Sequence, residues 1–121
     1  MSINVTSLLD RLLAFSLAFP GAWEDHPWDD LVVKVGRKIF VFIGSEQYPG
    51  VSVKLPESHE QAKLLSCAKP TGYGLGKAGW VTISVDSPEC PPAEVLEDWI
   101  EESYRTIAAK KLIAELDASS H

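Results

Sequence analysis

Val5, Leu8, Leu9, Leu12, Leu13 and Leu17 recur at helical spacing. Asn4 or Thr6 is placed to cap that helix, and Pro20-Gly21 to stop it. The period then shortens. Residues 31–43, LVVKVGRKIFVFI, are rich in Val, Ile and Phe and are interrupted once, at Gly36. This predicts two strands joined by a tight turn over Gly36 and Arg37. After a polar turn ending at Pro49-Gly50, VSVKL sets Val51, Val53 and Leu55 on one face of a strand and Ser52 and Lys54 on the other.

Residues 57–68 have helix-forming composition, with Ala62, Leu65 and Leu64 as the apolar side. The stretch from 70 to 86 opens with punctuating glycines and ends in a strand. There Trp80, Thr82 and Ser84 alternate with Val81, Ile83 and Val85. Pro92 suits the first turn of a long final helix whose stripe is Leu96, Ile100, Ser103 and Ile107, flanked by Trp99 and Tyr104. The predicted order is α-β-β-β-α-β-β-α. Short connections favour antiparallel neighbours, so the expected fold is α+β, a two-layer arrangement of about five strands packed against the first and last helices. Residues 1–121 read as one domain without linker or repeat.

Composition changes this picture little, and charge changes it more. The chain has 45% hydrophobic and 23% charged residues, as ordinary globular proteins do. Cys67 and Cys90 lie outside any CxxC motif, which favours reduced thiols in a cytoplasm. LLAFSLAF, residues 12–19, follows Asp10 and Arg11 rather than a positive segment, so it reads as a buried helix and not a secretory signal. The net charge of −6 argues against generic adhesion to DNA or anionic membranes. Its distribution is uneven: residues 31–80 carry seven bases and three acids, between acidic ends.

Several motifs fail on context. GLGKAG, Gly74 to Gly79, has the letters of a dinucleotide loop, but a strand follows it where a helix is needed. A hairpin turn fits better. HEQAK at His59 lacks the second histidine of a zinc helix, since Lys63 stands in its place. His26, His59 and His121 share no ligand spacing, so neither a metal nor a cofactor is expected. Glu24, Asp25 and His26 would make an acid–base cluster only if they converge, and neighbours in an extended segment point apart. An enzyme built on them is a remote alternative. Trp23 and Trp28 are expected to plug the sheet edge. Ser103 is expected on the buried stripe, bonded to backbone.

Lys34, Arg37, Lys38, Lys54 and Lys77 carry more weight. Four lie on or beside two predicted hairpin tips, and Lys54 projects from the polar face of its strand. Basic hairpins engage phosphate backbones. The alternative is a protein or small-molecule partner held by an aromatic surface of Trp23, His26, Trp28 and Trp80.

FPGAWEDHPW, KVGRKIFVFIG, VSVKLPES, PTGYGLGKAGWVTISVD and DWIEESYRTIAAKKLIAELD, in this order from about residue 5 to 117, resemble the MmcQ/YjbR family of small bacterial proteins. The elements carrying the likeness are Pro20-Gly21 followed by acids and Pro27-Trp28, Lys38 before Ile39-Phe40, Lys54, Gly76-Lys77 with Trp80, and Ser103-Tyr104. The resemblance implies a CyaY-like or double-wing α+β fold and a DNA-binding role, and it brings no catalytic set. Asp29 departs from the glycine of many relatives and adds negative charge beside that loop. The expectation is a cytoplasmic, non-enzymatic binding domain.

Overall fold

The computed structural model describes residues 5–27, 30–45, 47–72 and 78–119. The order is α1 (Val5–Leu17), β1 (Ala22–Asp25), β2 (Leu31–Val35), β3 (Lys38–Ile43), β4 (Gly50–Lys54), α2 (His59–Lys63), β5 (Ala68–Pro70), β6 (Trp80–Ser84), α3 (Ala93–Ile107) and α4 (Lys110–Ser119). The strands form one antiparallel sheet in the order β1-β2-β3-β4-β6-β5.

The α+β architecture follows the expectation, with two additions. β1 is a strand where only a crossing segment was expected. Ala-Trp-Glu-Asp lacks the β-branched residues that mark strands, and it is extended because its backbone pairs with β2. The final helix also breaks in two. Ala108 is extended at φ −69° and ψ 152°, although alanine is a strong helix former. Tertiary contacts override propensity there: α4 turns back so that Arg105 donates to Asp117 at 2.7 Å. Leu112 and Ile113 pack on the core from that position. α2 is shorter than its composition suggests; Ala62 is fully buried while Leu64 is exposed.

Strand alternation decides which side of the sheet is covered. Val33, Val41, Val53 and Val81 are register partners on successive strands and lie in the core with Leu9 and Leu12 of α1 and Leu96, Ile100 and Tyr104 of α3. Fully burying each of these side chains contributes about 1.5–3 kcal/mol. Phe19 stacks on Tyr104 at 4.5 Å, and Phe40 meets Tyr104 edge-on at 5.2 Å. The Tyr104 hydroxyl donates to the Pro20 carbonyl at 2.6 Å, tying α3 to the end of α1.

The β2–β3 register slips between Val33, opposite Val41, and Lys34, opposite Ile39. Phe40 is therefore an extra residue in β3, a β-bulge that lets it join Val41 on the helix side. Ser103 of α3 sits against this bulge, donating to the Phe40 carbonyl at 2.5 Å and accepting the Lys54 N–H at 2.9 Å. The turn before the bulge is Gly36-Arg37, where Gly36 takes φ 63°, a value that a side chain disfavours.

Candidate functional site

The other side of the sheet carries no helix of the described residues. Val32 and Trp80 are buried there, yet both lie outside the core cluster. Register places Trp23 opposite Lys34, Lys34 opposite Ile39, and Lys54 opposite Trp80. Because of the bulge, Ile39 regains the same face as Phe42, beside Lys54. Trp23, Lys34, Ile39, Lys54 and Trp80 thus form one transverse row over five strands, aromatic at its ends and basic within.

The members differ in availability. Lys34 is engaged: its ammonium lies 2.7 Å from Asp25 Oδ2 and 5.2 Å from the centre of the Trp23 ring. That hydrogen bond, followed by one from the His26 amide, holds the Asp25 carboxyl below its ordinary value. Trp23 donates its indole N–H to the Gly36 carbonyl at 2.9 Å and remains 43% exposed, so it does not plug the sheet edge. Trp80 is only 8% exposed and meets Phe42 edge-on at 5.6 Å. Arg37 and Lys38 are exposed at the hairpin tip beside the row, and Lys38, paired with the core residue Val35, leaves its strand from the helix side. Neither they nor Lys54 nor Lys69 joins an ion pair among the described residues. Trp28 and Lys77 lie outside the described residues.

His26 does not join the row. Its Nε2 lies 2.6 Å from Glu24 Oε2, while Asp25 turns to Lys34. Alternation along β1 thus divides the Glu24, Asp25 and His26 cluster, and none of the three lines a described cavity. The paired Ser103 and Tyr104 are committed to backbone carbonyls and act structurally. Among the described residues no group of three His, Cys, Asp or Glu could hold a metal. No helix among them is long and apolar enough to cross a membrane.

Next to the row the open face sinks into a hollow of about 900 Å³. Its floor includes Ile39 and Phe42, and Tyr48, 74% exposed, stands at its rim. Three hydroxyls cross it in line: Ser52 Oγ lies 2.7 Å from Thr82 Oγ1, which lies 2.9 Å from Thr71 Oγ1. Sequence reasoning passed over these residues. The signal was present for Ser52 and Thr82, both on the polar side of alternating strands, but Thr71 and Tyr48 reach the hollow only through loop geometry.

Charge separates by layer. Helices α1, α3 and α4 hold eight acids and four bases, whereas the six strands hold four bases and two acids. Four of the five acids of α3, Glu94, Glu97, Glu101 and Glu102, find partners within the helical layer or the β4–α2 turn. Arg11 binds Glu97 at 3.0 and 3.1 Å, Arg105 binds Glu101 at 2.8 Å, and the Glu102 carboxylate accepts the amides of Glu57 and Ser58. They do not neutralise the sheet's lysines.

Comparison with curated proteins finds no match to this chain. The sequence model of one family does match, covering residues 17–106, from the last turn of α1 to near the end of α3. That span takes in the sheet, the bulge and the Ser103-Tyr104 pair that braces them, and the chain belongs to the YjbR family.

Proposed function

We propose that this YjbR domain is a non-enzymatic binding module that takes nucleic acid on the open face of its sheet. The observation that carries the reading is the transverse row. It joins bases and aromatics on the side of the sheet away from the acidic helices. Lys54 and Lys69 on this face, with Arg37 and Lys38 at the adjoining hairpin tip, are outside any ion pair among the described residues and serve to meet phosphate, with Lys77 assigned to the same role from the sequence. Lys34 orients Trp23 instead of offering an unpaired charge. The strands carry four bases against two acids, so a polyanion meets less opposing charge on this face than on the helical layer, despite the net −6 of the whole chain.

Fluorescence anisotropy with labelled DNA, from low to moderate salt, tests the proposal. Binding is expected to weaken as salt rises, because cations on the protein displace counterions from phosphate. Charge reversal at Arg37 and Lys38 together is expected to remove most of it. Absence of binding at low salt, or binding unchanged in that double variant, would overturn the reading.

A further inference from the structure

The hollow next to the basic row is chemically unlike a surface for duplex phosphates alone. Resting on the nucleic-acid reading above, we propose that the strand bound is single, with its phosphates on Arg37, Lys38 and Lys54 and one unpaired base lowered into the hollow between Phe42 and Tyr48.

Three observations converge on this. The first concerns which elements are free to dock. Duplex readers place a helix or a two-stranded ribbon in a groove. Here the longest helix, α3, carries Glu94, Glu97, Asp98, Glu101 and Glu102, and such a helix repels phosphate. The free element is a broad sheet face. Open sheets with basic and aromatic residues suit unstacked bases, whose flat faces become available only in single strands.

The second is shape. About 900 Å³ lies within the range of small-molecule pockets and accommodates a nucleoside. A paired base inside a duplex cannot enter it without leaving the stack. Tyr48 at the rim offers a ring for stacking, and Phe42 with Ile39 supplies the apolar floor.

The third is the hydroxyl row. Ser52, Thr82 and Thr71 carry three protons, and the two contacts between them use two. One donor and several lone pairs remain for a ligand, and rotation of the hydroxyls can reverse the direction of the chain. Such a row meets the mixed donor and acceptor edge of a base without fixing which base it is. Asp30, Lys69 and Asp86, which also line the hollow, extend the same mixed polarity, and the two acids favour the donor groups of a base over a second phosphate.

Anisotropy titrations with oligothymidylate and oligouridylate of about twelve nucleotides, and with the matching DNA duplex, test the inference. The single strands are expected to bind at least about tenfold more tightly than duplex, and the two strands together show whether DNA or RNA is preferred. Tyr48→Ala, at an exposed position that leaves the fold intact, is expected to weaken single-strand binding about tenfold without changing its salt slope. Thr82→Val tests the hydroxyl row, with far-UV circular dichroism to verify folding. A charge-reversed Lys54→Glu is expected to reduce the slope instead. Equal or tighter duplex binding, or a Tyr48→Ala variant that binds single strands as well as the parent, overturns the base-in-hollow inference while leaving the nucleic-acid reading standing. No binding to any of the three overturns both.

Discussion

Ser103 accepts the backbone N–H of Lys54 at 2.9 Å, at the point where the β3–β4 ladder leaves off. Extending the register by one residue would put Lys54 opposite Phe40. There the bulge intervenes, and the Ser103 hydroxyl relays the bond by donating to the Phe40 carbonyl. One side chain from α3 thus completes two strands at once. It also keeps Lys54 and Ile39 at adjacent places in the row on the opposite face.

Ser103→Ala is expected to leave a buried donor and a buried acceptor unpaired. Each such group costs about 1–3 kcal/mol, so a loss of about 2–4 kcal/mol is expected. Urea denaturation will report it as a lower midpoint at unchanged slope. A loss below about 0.5 kcal/mol would show that water replaces the hydroxyl.

Tyr104→Phe removes the bond to Pro20 and keeps the ring stacked on Phe19. The expected cost is about 1 kcal/mol, against about 3–5 kcal/mol for Tyr104→Ala, which empties the space between the aromatic rings. Burial raises the Tyr104 phenol above its ordinary value. In an ultraviolet titration one tyrosine should therefore ionise above the ordinary phenol range, and that step should vanish in Tyr104→Phe.

Gly21 adopts φ 73°, and a Cβ there would lie 3.2 Å from Leu112 Cδ1. Gly21→Ala combines backbone strain with pressure on the contact that docks α4, with an expected cost of about 1–2 kcal/mol in thermal or urea unfolding. Hydrogen exchange should show the loss first in α4, whose described residues include none that is fully buried.

Burial pushes the Cys90 thiol up to about 11, with the nearby Cys67 and Asp86 adding to the shift. A thiol raised in the folded state favours folding below its ordinary 9.0, and that contribution is lost as pH rises through about 11. Alkylation of the native protein at neutral pH should therefore be far slower than in urea. Rapid labelling of Cys90 under native conditions would contradict this.

Asp25 has the opposite sign. Its carboxyl is held down chiefly by Lys34, so the stabilisation is present above the ordinary 3.8 and is lost as pH falls through the lower folded value. Asp25→Asn is expected to be modestly less stable than the parent at neutral pH, with the gap closing below about pH 4. The pair is partly exposed, and added salt should shrink the gap as well.

Much of the fold is legible because it rests on local pattern. Ser52 and Lys54 alternate with Val51 and Val53, and Thr82 with Ile83, so the covered and open sides of β4 and β6 can be read directly. The bulge cannot be read this way. Its brace, Ser103, is 63 residues from Phe40, and no spacing rule connects them. The row is similarly split. Lys34, Lys54, Trp23 and Trp80 attract notice singly as bases or aromatics, but the pairing of five strands makes them neighbours. Trp23 was expected to bury because large aromatics usually do; its indole N–H and its cation contact hold it at the surface instead.

The sorting of charge between layers makes the molecule an electric dipole as well as a net anion. In the field of a polyanion it experiences a torque before any contact forms, turning the helices away and the strands forward. At ion-exchange surfaces the two layers have opposite preferences. A positively charged resin should hold the chain by its helices and leave the sheet facing the buffer, whereas a sulfated polysaccharide matrix at low ionic strength should engage the sheet. Retention on both, with Arg37 and Lys38 reversal abolishing only the second, would be the chromatographic signature of this separation.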